Sequence, residues 1–212
     1  MKKASLIFLS LFAALHAHAQ DAFVPELSIG LKGGVNFSRF NFNPEADQEF
    51  LQGYTGGLVL KHQAHPRVGL QVELNYVQRG WAELPNTGGA VARRLDYLEL
   101  PLMTHVTIGN RGTRFLINLG PYASYLLSGG TPGKGGEAVR YWRRELDNDF
   151  LYGLCVGLGM GQKTSFGTFQ LEGRLSHSLN DIFERDTGVL AAKSQSVSVT
   201  LSYLLSFKAE AK

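Results

Sequence analysis

The chain has 212 residues, with 21 basic and 18 acidic side chains, 25 glycines and a single cysteine. Setting aside Lys2 and Lys3, which sit in an N-terminal leader, leaves 19 basic against 18 acidic groups. That near-neutral balance gives no case for a nucleic-acid partner, which would want a basic stripe. Cys155 has no second cysteine to pair with, so the fold does not rest on an intramolecular disulfide.

The leader comes first. Lys2 and Lys3 precede an apolar run from Leu6 to Leu15, and Ala17-His18-Ala19 gives a small-x-small cleavage site before Gln20. The run is too short to span a bilayer as a helix, which takes about 20 residues. No cysteine follows the cleavage site, so a lipid anchor is not expected. The reading is a signal peptide over residues 1–19 and one exported domain over residues 20–212.

After Gln20 the dominant period is two, which predicts strands. Leu27, Ile29, Leu31, Val35 and Phe37 alternate with Ser28, Gly30, Lys32, Asn36 and Ser38. Tyr54, Leu58 and Leu60 alternate with Thr55, Gly57 and Lys61, and Val68 to Tyr76 alternate with Gly69, Gln71, Glu73 and Asn75. Leu98, Leu100 and Leu102 alternate with Tyr97, Glu99 and Met103; Phe115 to Tyr125 alternate with Leu116, Asn118, Tyr122 and Ser124. Phe150 to Met160 alternate with Gly153, Cys155, Gly157, Gly159 and Gly161. Phe169, Leu171 and Leu175 alternate with Gln170, Glu172 and Arg174, and Val197 to Phe207 alternate with serines and Thr200.

Eight such segments are near the 9–11 residues a tilted membrane strand needs. Short links fall at His62–Arg67, Thr107–Thr113 and Gln162–Ser165. Long ones fall at Asn41–Leu51, Leu84–Ala92, Ser128–Asn148 and Asp181–Lys193. Short periplasmic turns and longer extracellular loops are the rhythm of an all-β, eight-stranded, antiparallel up-and-down transmembrane barrel.

A soluble barrel also alternates, with its apolar face inside. Three features favour the membrane form. The polar face of the Phe150–Gly161 segment is almost all glycine, which suits a narrow lumen receiving large groups from opposite walls. The expected inner face carries Lys32, Lys61, Arg79 and Arg174 against Glu73, Glu99 and Glu172, a nearly balanced set such as a packed polar lumen needs. Tyr54, Tyr76, Tyr125, Tyr152 and Tyr203 lie on the apolar faces, as an interfacial girdle requires.

Several short runs then resemble one group. Leu95-Asp96-Tyr97-Leu98-Glu99-Leu100-Pro101-Leu102, Leu119-Gly120-Pro121-Tyr122, Glu172-Gly173-Arg174-Leu175-Ser176, Leu179-Asn180-Asp181-Ile182 and the opening Gly30-Leu31-Lys32-Gly33-Gly34-Val35-Asn36 resemble motifs of the PorT-like outer-membrane barrels of Bacteroidetes. The resemblance implies an eight-stranded barrel with a signal peptide in the outer membrane. It implies no single agreed activity; the name-giving member takes part in protein secretion. The tail after Phe207 and the Arg174-Leu175 pair depart from the family pattern.

Of candidate sites, Ser176-His177-Ser178 lacks catalytic geometry, because neighbours in a strand point to opposite faces. His62 and His65 flank a turn without a ligand cluster, so neither metal nor cofactor is expected. The loop residues Arg140, Tyr141, Trp142, Arg143 and Arg144 combine cations and aromatics suited to lipopolysaccharide phosphates or a protein partner. Glu99 and Arg174 are expected in one lumen network, and direct pairing between them is the sharper expectation. The functional expectation is a plugged barrel acting through its extracellular loops, as a structural or interaction module or a component of a secretion assembly. A small-solute pore and a lipid A-modifying enzyme are the alternatives. Expected partners are outer-membrane lipids, lipopolysaccharide, the barrel-assembly machinery during insertion, and secretion proteins.

Overall fold

A computed structural model describes residues 24–43, 47–84, 91–109, 112–129, 146–183 and 191–208. The leader at 1–19 and the loop residues Arg140 to Arg144 lie outside these. The described chain is entirely β. Its strands are β1 (Glu26–Asn43), β2 (Gln48–Glu49), β3 (Leu51–Gln63), β4 (Val68–Glu83), β5 (Val91–Ile108), β6 (Thr113–Ser128), β7 (Phe150–Lys163), β8 (Thr168–Ser178) and β9 (Ala191–Lys208).

Every long strand pairs antiparallel with its chain neighbours, and β1 pairs with β9 from Glu26↔Lys208 to Asn43↔Ala191. With β4 also bonded to β5, the pairings run round a ring of eight, and the two-residue β2 adds to the end of β4. A ring leaves no open edge, which a bilayer demands because its core supplies no water to unpaired backbone.

The period-two pattern sets the faces. Leu31 is 65% exposed on the outside, and Leu158 63%, with Leu58, Leu102, Leu175 and Leu201 exposed beside them. The paired rows Leu27↔Phe207 and Phe37↔Val197 bound this apolar wall on β1 and β9. Ten residue steps at about 3.3 Å, tilted near 40°, give about 25 Å, the height of an outer-membrane apolar band.

The three short links close tightly at one end. Gly112 has φ +97°, a left-handed conformation that a side chain would strain, in the β5–β6 link. At the other end the strands outrun the sequence-read segments: β1 continues to Asn43 and β9 starts at Ala191. The sequence pattern places those residues in loops, because the outward-apolar alternation stops there. The β1–β9 ladder nevertheless runs on above the band. Within β5, Pro101 has no N–H, and the β4–β5 ladder skips from Val72↔Leu102 to Asn75↔Glu99.

Candidate functional site

The alternation that turns leucines outward turns the charged residues inward, and the lumen they fill has two layers. The lower layer is polar. Glu73 on β4 is its centre, fully buried and surrounded by donors. Arg174 on β8 donates from Nη2 to Oε1 at 2.7 Å and from Nη1 to Oε2 at 2.8 Å. Lys32 on β1 donates at 2.9 Å, Gln71 at 2.6 Å and Asn75 at 2.8 Å. Glu172 accepts from Arg174 Nε at 2.7 Å and from Asn118 at 2.8 Å. Asn118 also bonds His105 at 2.6 Å. Two cations and two carboxylates balance in this cluster, which is what allows charges to be buried together.

A second pair stands apart from it. Arg79 on β4 donates to Glu99 on β5, and Ser124 adds a bond to Glu99 at 3.1 Å. The Arg79 guanidinium lies 5.0 Å from the Tyr122 ring centroid and 6.0 Å from that of Tyr97. The seven charged positions read from the sequence are therefore all inward, but they do not form one network. Glu99 and Arg174 are not partners: the Glu99 carboxylate accepts from Arg79, and the Arg174 guanidinium donates to Glu73 and Glu172. Parity fixes which face a residue takes; it says nothing of height along the lumen. Lys61 is buried nearer the short-turn end, in a small pocket with Glu26, Gln63, Thr107 and Arg114, and makes no ion pair among the described residues.

One glycine of β7 has a clear packing reason. A Cβ on Gly157 would collide with the Glu172 carboxylate. The space it leaves is used by the neighbouring strand, not by the opposite wall as the sequence suggested.

The upper layer is apolar and was not read from the sequence. Phe40, Phe42, Trp81, Leu95, Leu151, Ile182, Phe183 and Ala192 form a buried cluster inside the long-loop end, touching Tyr97. Trp81 meets Phe40 and Phe42 edge-on at 5.1 and 5.3 Å between centroids, and Phe42 stacks on Phe183 at 6.2 Å. Trp81 Nε1 donates to Glu83 at 2.8 Å, so the buried indole keeps a partner. The signal was present. Phe40 and Phe42 share the parity of Lys32 and Ser38, and Trp81 and Leu95 share that of Glu73 and Glu99.

The segment after β8 completes this layer. Asn180 accepts from Tyr152 N at 2.9 Å and donates to Phe150 O at 2.7 Å. Asp181 accepts from Ala192 N at 2.8 Å, while Ile182 N bonds Ala192 O at 3.1 Å. Asp147 N and Asn148 N both reach Ile182 O at 3.2 Å. These bonds fold the chain over the mouth and drive Ile182 and Phe183 into it. Ser176 and Ser178 point inward and His177 outward, so the three make no joint site.

A ring of tilted strands with a lipid-height apolar wall and a charged, filled interior defines an integral outer-membrane β-barrel. The sequence matches the family described as outer membrane protein beta-barrel domain over residues 18–184, and the chain belongs to that family; it is a protein of the outer membrane. Among solved structures, the outer membrane protein OprG from Pseudomonas aeruginosa has the same fold, at 11% identity and a TM-score of 0.53, covering 89% of this chain and 97% of OprG. The attachment invasion locus protein Ail of Yersinia pestis (11% identity, TM-score 0.44, 84% of this chain and 98% of Ail) is also similar. So is Neisserial surface protein A (9%, TM-score 0.45, 84% and 96%). No curated protein matches the sequence.

Proposed function

We propose that this protein is a non-conducting outer-membrane barrel that acts as a structural and interaction module through its long-loop end. The observation that carries the reading is the bidentate Arg174–Glu73 pair between β8 and β4, which are four strands apart in a ring of eight. They stand on opposite walls, and their ion pair bridges the whole lumen beneath the apolar layer. An eight-stranded barrel is just wide enough to be filled by side chains, and the two stacked layers among the described residues support a lumen closed to solutes.

The PorT-like resemblance supports a finer reading, in which the module belongs to a protein-secretion assembly. The loop residues Arg140, Tyr141, Trp142, Arg143 and Arg144 supply the cations and aromatics for a protein or lipopolysaccharide contact there, and insertion would proceed through the barrel-assembly machinery. One of the resembling motifs, Leu179 to Ile182, has a structural task in this chain, holding the mouth closed. It therefore speaks for a shared barrel more than for a shared partner. The lipid A-enzyme alternative is disfavoured by the opposed faces of Ser176 and His177.

Planar-bilayer recording of the refolded protein tests the reading. No stable conductance steps are expected; reproducible single-channel steps would overturn it in favour of the pore. Cross-linking from native outer membranes, followed by mass spectrometry, then separates a secretion component from a stand-alone module.

A further inference from the structure

The outer wall is not uniform at its upper edge. Just above the apolar band, Arg39 on β1 pairs in register with Gln195 on β9, which pairs in turn with His177 on β8. Neighbouring strands lie about 4.8 Å apart, so these three side chains form one outward row. Lys193 joins it from β9, paired with Asn41. Among the described residues Arg39 makes only long hydrogen bonds, to Gln195 Oε1 at 3.4 Å, and its guanidinium lies 5.0 Å from the Phe50 ring centroid.

No carboxylate stands on the outward faces of β1, β7, β8 or β9 among the described residues. Asp47 and Glu49, the described acids closest to Phe50 in the chain, make no ion pair with Arg39. On the β4–β5 side, by contrast, Asp96 accompanies Arg94 on the outward face of β5 and bonds Gln78 at 3.3 Å. The cationic row is thus confined to one sector.

Beside and below it the wall is hollowed. A groove of about 520 Å³ opens outward between Phe50 and the side chains of Leu119, Leu154, Leu175 and Val197, with Arg39, His177 and Gln195 at its edge. The apolar floor below and the cations above, with no carboxylate on the outward strand faces around them and the Asp181 carboxylate past β8 engaged by Ala192 N, match one kind of molecule, an anionic lipid with its chain in the groove and its phosphate on the cations. Short turns face the periplasm in such barrels, so this edge lies in the outer leaflet, whose anionic lipid is a phosphorylated glycolipid.

We propose that the β1–β8–β9 face is a docking site for a lipid A-type glycolipid. Arg39 and Lys193 hold a phosphate, His177 and Gln195 hydrogen-bond the headgroup, and an acyl chain lies in the groove beneath. The site uses none of residues 140–144 and does not depend on the lumen.

Native mass spectrometry of the full chain in neutral detergent tests this with three lipids: bisphosphorylated lipid A, dephosphorylated lipid A and phosphatidylglycerol. Wild-type protein should retain bisphosphorylated lipid A about tenfold better than either other lipid, and Arg39→Ala with Lys193→Ala should lose about tenfold of that retention. Both side chains point outward, and unchanged heat-modifiable migration on gels verifies folding of the variant. If the variant fails to fold, the two control lipids on wild-type protein still decide. Equal retention of dephosphorylated lipid A would overturn the phosphate contact. Equal retention of phosphatidylglycerol would reduce the face to a general anion surface and overturn the glycolipid assignment, as would a folded variant that binds like wild type.

Discussion

Arg174 and Glu73 meet across the full width of the lumen, two guanidinium nitrogens against two carboxylate oxygens at 2.7 and 2.8 Å. Arg174 also holds Glu172 from its Nε. Removing it leaves two buried carboxylates with one remaining cation, Lys32. Arg174→Met should therefore lower unfolding stability by about 3–5 kcal/mol, read from urea midpoints of the protein refolded into liposomes. Glu73→Gln combined with Arg174→Met should lose less than the two single losses added together. A cycle between Glu99 and Arg174 should be close to additive, because their contacts are separate. Strong coupling in the second cycle would contradict the two-cluster lumen.

Gly157 offers a smaller and more local probe. Its missing side chain makes room for the Glu172 carboxylate, which Arg174 and Asn118 hold in place. Gly157→Ala should push that carboxylate off its donors and cost about 1–3 kcal/mol. Gly33→Ala is the control: it faces outward, and its nearest neighbour would be an ordinary 4.0 Å away. Equal midpoints for the two variants would show that Glu172 moves aside freely.

The faces of the wall were legible from the sequence because one physical rule, period two, governs every strand at once. Leu31, Leu158 and Leu201 were placed outward, and Lys32, Glu73, Glu99 and Arg174 inward, from parity alone. Partners were not legible, since the choice of Glu73 over Glu99 for Arg174 depends on strand stagger round the ring. The apolar upper layer escaped for a different reason. Phe40, Phe42, Trp81 and Leu95 sit where an inward residue was expected to be polar. Following the parity of Lys32 up to Phe42 would have placed them correctly, but not Ile182 and Phe183, which reach the mouth through a non-strand segment.

Depth within the band should be measurable residue by residue. Leu201 lies near its middle on the outward face, while Val197 lies at its upper boundary beside Phe37. Leu201→Arg should cost about 2–4 kcal/mol and Val197→Arg about 0–1 kcal/mol. Liposome unfolding titrations read both. Reversal of that order would shift the membrane along the barrel and with it the level assigned to Arg39.

The two lumen layers predict a specific conductance pattern. Ile182→Ala with Phe183→Ala removes the part of the apolar layer carried by the segment after β8, yet leaves Arg174, Glu73 and Lys32 joined below. Large-to-small changes of this kind should cost a few kcal/mol, about 2–5 for each buried side chain, so the doubly truncated barrel should melt earlier. It should still not conduct, because the bridge between β8 and β4 remains. Arg174→Ala with Glu73→Ala should likewise stay silent, since the apolar layer, with Ile182 and Phe183 in place, still closes the mouth. Only the combination of all four substitutions should give stable current steps in a planar bilayer. Two independent barriers in series require that result. Steps from either pair alone would show that a single layer does the closing, and would identify which one.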